Sequence, residues 1–183
     1  MKKVIPCLFT SGNLCFGVLS MILSSQGNFF WGALCIFFAM LCDAMDGRSA
    51  RALGVSGEFG KELDSLSDCV SFGAASAFLM YNYTLHTLGW IGVIPVLIYS
   101  ALGGIRLARF INTATVHGYC EGMPIPNGGC LFATYVLSGV MLPAPLIAVL
   151  VVLVGYDLVS KVHHPDFKGQ SADVLHKSAL IIT

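Results

Sequence analysis

Hydrophobic residues run along this chain in long blocks, broken by short stretches that carry charge, glycine or proline. Six blocks come near the ~20 mainly apolar residues that a helix needs to cross a bilayer. They cover residues 8–25, 29–53, 58–84, 88–111, 128–141 and 143–162. The pattern predicts an all-α integral membrane protein with six transmembrane helices, in a single domain over 1–183 that ends in a polar tail, 163–183. The fifth block is short, and the turn at 141–145 before the sixth is tight. The second and third blocks are long and charged at their facing ends, which predicts helices that protrude from the bilayer there. Between the fourth and fifth blocks, "HGYCEGMPIPNGGC" is rich in glycine and proline and reads as a loop.

Charge adds an orientation. Lys2 and Lys3 precede the first block, and Arg48, Arg51 and Lys61 flank the second connection. Arg106 and Arg109 end the fourth block, and Lys161, Lys168 and Lys177 lie at or beyond the sixth. Together these are all ten Lys and Arg of the chain. With six spans they fall on one side, so the positive-inside rule places both termini in the cytoplasm. The lysines at the start are followed by no clear small-residue cleavage site, so a retained first helix is expected rather than a signal peptide.

Composition agrees with a lipid environment. Hydrophobic residues make up 56%, charged residues 11%, and the mean hydropathy is +0.78; soluble domains carry about 25% charged residues. A formal net charge of zero implies no bulk attraction to nucleic acid. The seven cysteines include no Cys-x-x-Cys pair and lie mostly in apolar runs, so they read as small buried hydrophobes.

Against this background, Leu41 to Ala75 stands out, because it holds Asp43, Asp46, Asp64 and Asp68. A charged aspartate near the middle of a membrane helix costs about 2.5–3.5 kcal/mol, and four together add repulsion. On a helix, spacings of three and four put each pair on one face. A reversal around Gly54 to Gly57 would let the two faces meet at similar depth. Protonation, ion pairs to Arg48, Arg51 and Lys61, or divalent cations can each relieve the charge. Hard cations such as Mg²⁺ and Mn²⁺ suit carboxylate oxygens, and four carboxylates on two facing helices can hold two of them. Gly47 and Ala50 follow Asp43 on its face and Gly60 precedes Asp64 by a turn, which clears space beside the carboxylates. Arg51 can meet a phosphate with its forked donors.

The stretch "DAMDGRSARALGVSGEFGKELDSLSD" resembles the signature of the CDP-alcohol phosphotransferase family, D-x2-D-G-x2-A-R-x8-G-x3-D-x3-D, at every fixed position. That resemblance implies a six-helix membrane enzyme, a homodimer, which joins a CDP-activated group to an alcohol and releases CMP. It implies two metal ions, Mg²⁺ or Mn²⁺, on Asp43, Asp46, Asp64 and Asp68, with Asp68 also the catalytic base. Gly47, Ala50, Arg51 and Gly60 would line the CDP site, and Asn13 in the first block is a further candidate there. Further stretches, among them "IPCLFTSGNLCFGVLS", "GGIRLARFI" and "GMPIPNGG", resemble the serine-using branch of the family. The implied substrates are CDP-diacylglycerol and L-serine, with Arg106 and Arg109 holding the serine carboxylate or a lipid phosphate. Two other readings stand beside this one. A sister enzyme would use glycerol phosphate or inositol phosphate, and a divalent-cation transporter would need carboxylates on several helices and a path to the far side.

Overall fold

The computed structural model describes residues 4–53, 57–112, 120–121, 123–160 and 163–164. Helix α1 spans Val4–Ser25 and α2 Phe29–Leu53, joined by a tight turn with Gly27 at φ +80°. Helix α3, Glu58–Asp68, runs without a break into a π-helical stretch, Cys69–Ala75, and then into α4, Ser76–Tyr83. A 3₁₀ stretch, Leu85–Gly92, kinks at Gly89 and leads into α5, Val93–Asn112. Helices α6, Ile125–Ser138, and α7, Ala144–Val159, complete the helical set. Proline enters the first turn of both, where its missing N–H costs nothing. The described residues are thus helical apart from their turns and one backbone pairing, Cys120–Glu121 antiparallel to His163–His164. Two residues are too short for an alternating pattern to announce them, and the sequence reading places no strand there.

Among the described residues, three helical segments are long and apolar enough to cross a membrane, Cys7–Ser25, Phe29–Ser49 and Leu85–Arg109, with Ala144–Val159 a shorter apolar helix. The interior differs from that of a water-soluble bundle. On α1 the buried face is Thr10, Asn13, Gly17, Ser20 and Ser24, whereas Leu8, Val18, Leu19 and Ile22 face outward. Apolar surface gains nothing by leaving lipid, so small and polar residues pack the helices together through close approach and hydrogen bonds. Ser20 Oγ donates to the Gly32 carbonyl of α2 at 2.8 Å, and Asn82 Nδ2 of α4 donates to Ser24 Oγ at 3.3 Å.

The α1 contacts set the directions of its neighbours. Thr10 meets Asp46 and Ser20 meets Gly32, so α2 runs antiparallel to α1. Asn13 meets Asp68, Ser71 meets Asn13 and Ser24 meets Asn82, so α3 through α4 runs parallel to it. Gly17 lets the π-helical stretch come close, since a Cβ there would lie 2.8 Å from Ser71 Cα. Gly17→Val is therefore expected to destabilise the protein by about 1–3 kcal/mol. A thermal melt in detergent reads this, and an unchanged midpoint would show that the approach is not tight.

A π turn widens the helix and leaves carbonyls pointing away from their usual donors. Here the hydroxyls of neighbouring residues meet them. Tyr99 Oη of α5 donates to the Phe72 carbonyl at 3.1 Å, which Ser76 Oγ also reaches, and Ser100 Oγ donates to the Gly73 carbonyl at 3.4 Å. Fully buried Tyr99 and Phe72 form the centre of the core with Phe132, and the Tyr99 and Phe132 rings lie 4.9 Å apart. Glycines of α6 and α7 make room for them: a Cβ at Gly129 would meet Phe72 at 2.9 Å, and one at Gly155 would meet Tyr99 Cα at 3.3 Å. The stretch directly after Asp68 is in this way clamped on several sides. No disulfide occurs among the described residues; Cys35 is buried and Cys130 packs on Met40.

Candidate metal centre

Asp43 and Asp46 occupy the second half of α2, and Asp64 and Asp68 the second half of α3. The fold brings the two pairs together, as their spacing predicts. One carboxylate oxygen each of Asp43, Asp64 and Asp68 lies within 4.8 Å of the others, with Asp43 and Asp64 half-buried and Asp68 buried. Asp46 is buried beside them and accepts a hydrogen bond from Thr10 Oγ1 at 2.9 Å. Asp68 accepts from Asn13 Nδ2 at 3.0 Å.

These residues can hold a metal ion. The donor atoms are all carboxylate oxygens, the chemistry that hard divalent cations take. Asp64 Oδ1 is buried and has no hydrogen-bond partner among the described residues. An anionic oxygen enclosed without a donor is costly unless a cation meets it.

The remaining expected site residues divide by position. Gly47 is half-buried on α2 one turn beyond Asp43. Gly60 leaves open space on α3, with no atom within 4 Å of where its Cβ would be. Ala50 and Arg51 continue α2, and their side chains lie outside the described residues; so do Lys2, Lys3, Lys161, Lys168, Lys177 and the middle of the 54–57 turn. Arg106 is half-buried and Arg109 exposed near the end of α5. Tyr99 and Ser100 face Phe72 and Gly73, and a Cβ at Gly104 would come within 3.9 Å of Cys69 Sγ. α5 therefore climbs antiparallel to α3 and carries both arginines toward the aspartate end.

Two features escape a reading of the sequence. Thr10 sits in the first apolar block and has no counterpart in the aspartate signature. The available signal is the spacing of Thr10, Asn13, Gly17, Ser20 and Ser24, which repeats every three to four residues along one helix face. Asn13, expected at the CDP site, gives its amide N–H to Asp68. Ser71 supports it from below, with Oγ donating to the Asn13 carbonyl at 2.9 Å.

Comparison with known proteins completes this picture. The family model for CDP-alcohol phosphatidyltransferase matches residues 3–161. The chain is 38% identical over 172 residues to the CDP-diacylglycerol–serine O-phosphatidyltransferase of Bacillus subtilis, covering 93% of this chain and 95% of that protein. It is 35% identical over 159 residues to the protein of the same name from Methanocaldococcus jannaschii, covering 86% and 72%. It is 31% identical over 172 residues to the archaetidylserine synthase of Methanothermobacter thermautotrophicus, covering 92% and 72%. With four aspartates at the family's spacing gathered at one end of a helical membrane fold, this chain belongs to the CDP-alcohol phosphatidyltransferase family.

Proposed function

We propose that this chain transfers the phosphatidyl group from CDP-diacylglycerol to the hydroxyl of L-serine, giving phosphatidylserine and CMP. The carrying observation is the meeting of Asp43, Asp64 and Asp68 within 4.8 Å, in a chain whose relatives over most of its length are named for the serine reaction. Asp43, Asp46, Asp64 and Asp68 would hold two divalent cations, Mg²⁺ or Mn²⁺. When bound, such ions screen the diphosphate and stabilise the charge on departing CMP.

The chain's own groups do the rest. Asp68 accepts the proton of the serine hydroxyl, whose oxygen then attacks the β-phosphorus. The bond from that phosphorus to the bridging oxygen breaks, and CMP leaves with the electron pair. Gly47, Ala50 and Gly60 leave room for the CDP moiety, and Arg51 forks onto its diphosphate. Arg106 and Arg109, on the arm of α5 that returns to this end, take the serine carboxylate or a lipid phosphate.

The same reading extends to the architecture. Helix α3, the π-helical stretch and α4 act together as one span, and α6 and α7 act as short ones. That makes six spans in a single membrane-embedded catalytic domain, with both termini and the active site at the cytoplasmic face. A homodimer follows from the family resemblance.

A panel of acceptors tests the proposal in detergent with CDP-diacylglycerol and Mn²⁺. CMP release with serine is expected to exceed that with glycerol 3-phosphate or inositol phosphate by about a hundredfold or more, because a site built around one set of polar partners rejects others strongly. Faster release with a phosphorylated acceptor would make the chain a sister enzyme. Cation flux into liposomes with no CMP release would make it a transporter.

A further inference from the structure

Helix α1 contributes no acid and belongs to neither half of the aspartate signature, yet it holds a carboxylate of each half. Thr10 Oγ1 donates to Asp46 Oδ2 on α2 at 2.9 Å, and Asn13 Nδ2 donates to Asp68 Oδ1 on α3 at 3.0 Å. Both donors are buried, Thr10 at 3% exposure and Asn13 at 0%. They are three residues apart, so one helix face serves both signature helices. Among the described residues α2 and α3 touch each other sparsely, whereas both pack on α1. α1 is thus in contact with both carboxylate pairs.

The Asn13 amide carries a second clue. Its Oδ1 is buried and has no hydrogen-bond partner among the described residues. A structural core asparagine would be expected to satisfy both ends of its amide. Turning the amide over would instead aim a carbonyl at a carboxylate, two acceptors face to face. The hydrogen bond to Asp68 thus fixes the amide at the expense of its other end.

We propose that Thr10 and Asn13 are positioning residues of the metal centre, which orient Asp46 and Asp68 from α1 and thereby set the site's affinity for a divalent cation. A carboxylate with one oxygen held by a buried donor cannot rotate freely, so its other lone pairs already point where an ion would bind. Without the donor, that ordering falls to the metal. Partners of this kind typically control metal affinity by about 10–100-fold. The inference rests on the metal-centre reading above. It adds two residues that act through the ligands without being ligands. Ser20 is the internal contrast: it lies on the same face of α1 but donates to a backbone carbonyl of α2, away from the acids.

Mn²⁺ titration of the full chain in detergent, followed by the electron paramagnetic resonance of free Mn²⁺, tests this without turnover. Thr10→Val and Asn13→Leu, close in shape to the native side chains, are each expected to weaken binding by about 10–100-fold. Thr10→Ser keeps the hydroxyl and is expected to bind as the wild type does, as is Ser20→Ala. Should either apolar variant fail to fold, Thr10→Ala or Asn13→Ala replaces it in the same titration. Wild-type affinity in the Thr10 and Asn13 variants would overturn the proposal. An equal loss in Ser20→Ala would overturn it too, by showing that any loosening of α1 suffices. A wild-type chain that turns over serine but takes up no Mn²⁺ would remove the metal-centre reading itself.

Discussion

Asp68→Asn is expected to lower serine-dependent CMP release by about a thousandfold, within the range that a positioned general base contributes, while the protein still folds. Asp68 is buried and held at Oδ1 by Asn13, and it lies within 4.8 Å of the Asp43 and Asp64 oxygens. Asparagine keeps the size and can still accept from Asn13, but it cannot take the serine proton. The same change removes one of four carboxyl groups crowded together in a medium of low dielectric, where like charges are costly. The metal-free variant is therefore expected to melt no lower than the metal-free wild type, and to gain less from added Mn²⁺. Two measurements check this: initial rates with CDP-diacylglycerol and serine, and melting with and without Mn²⁺. A variant that keeps more than about a tenth of wild-type activity falls outside what the loss of a catalytic base allows, and would strip Asp68 of that role.

Removing divalent metal is expected to have the other large effect. Chelation followed by desalting should bring CMP release to background, and Mg²⁺ or Mn²⁺ should restore it. The physical reason lies in the apolar setting. Asp43, Asp64 and Asp68 converge in an apolar helical bundle with Asp46 buried beside them, and Asp64 Oδ1 is enclosed with no donor among the described residues. Ions that bind only the folded chain also stabilise it, by about 2.7 kcal/mol at a free concentration one hundred times the dissociation constant. The melting midpoint should therefore rise with Mn²⁺ in proportion to the logarithm of its concentration. Full activity after chelation, with a midpoint indifferent to Mn²⁺, would leave the carboxylate cluster without the chemistry assigned to it.

Much of this was open to a reader of the chain alone. The three- and four-residue spacings of the aspartates put each pair on one helix face, and their symmetry about the 54–57 turn foretold their meeting. Apolar blocks located the helices to within a few residues. The boundaries that moved, such as α6 at Ile125–Ser138 against the expected 128–141, lie where glycine and proline blur the end of a block. The π-helical stretch after Asp68 could not be read in this way. It is met by hydroxyls of Tyr99 and Ser100, far along the chain, which donate to the Phe72 and Gly73 carbonyls. The partners of Asp46 and Asp68 were equally hidden. Thr10 and Asn13 look like polar interruptions of an apolar block, and nothing local says which helix they face.

What one chain of letters carried here is the make-up of the site: carboxylate oxygens of the kind a hard cation takes, their pairing by helical period, and helices apolar enough for a membrane. Those follow from composition and short-range spacing, which hold whatever the rest of the molecule does. The tertiary structure alone decided that α1 packs against both acidic helices, and that a threonine and an asparagine on it hold one carboxylate of each. In lipid, burying apolar surface gives no preference among helix faces, so the choice falls to close approaches and buried hydrogen bonds, as at Gly17 and Ser71. Such contacts join residues tens of positions apart, and they exist only once the helices are packed.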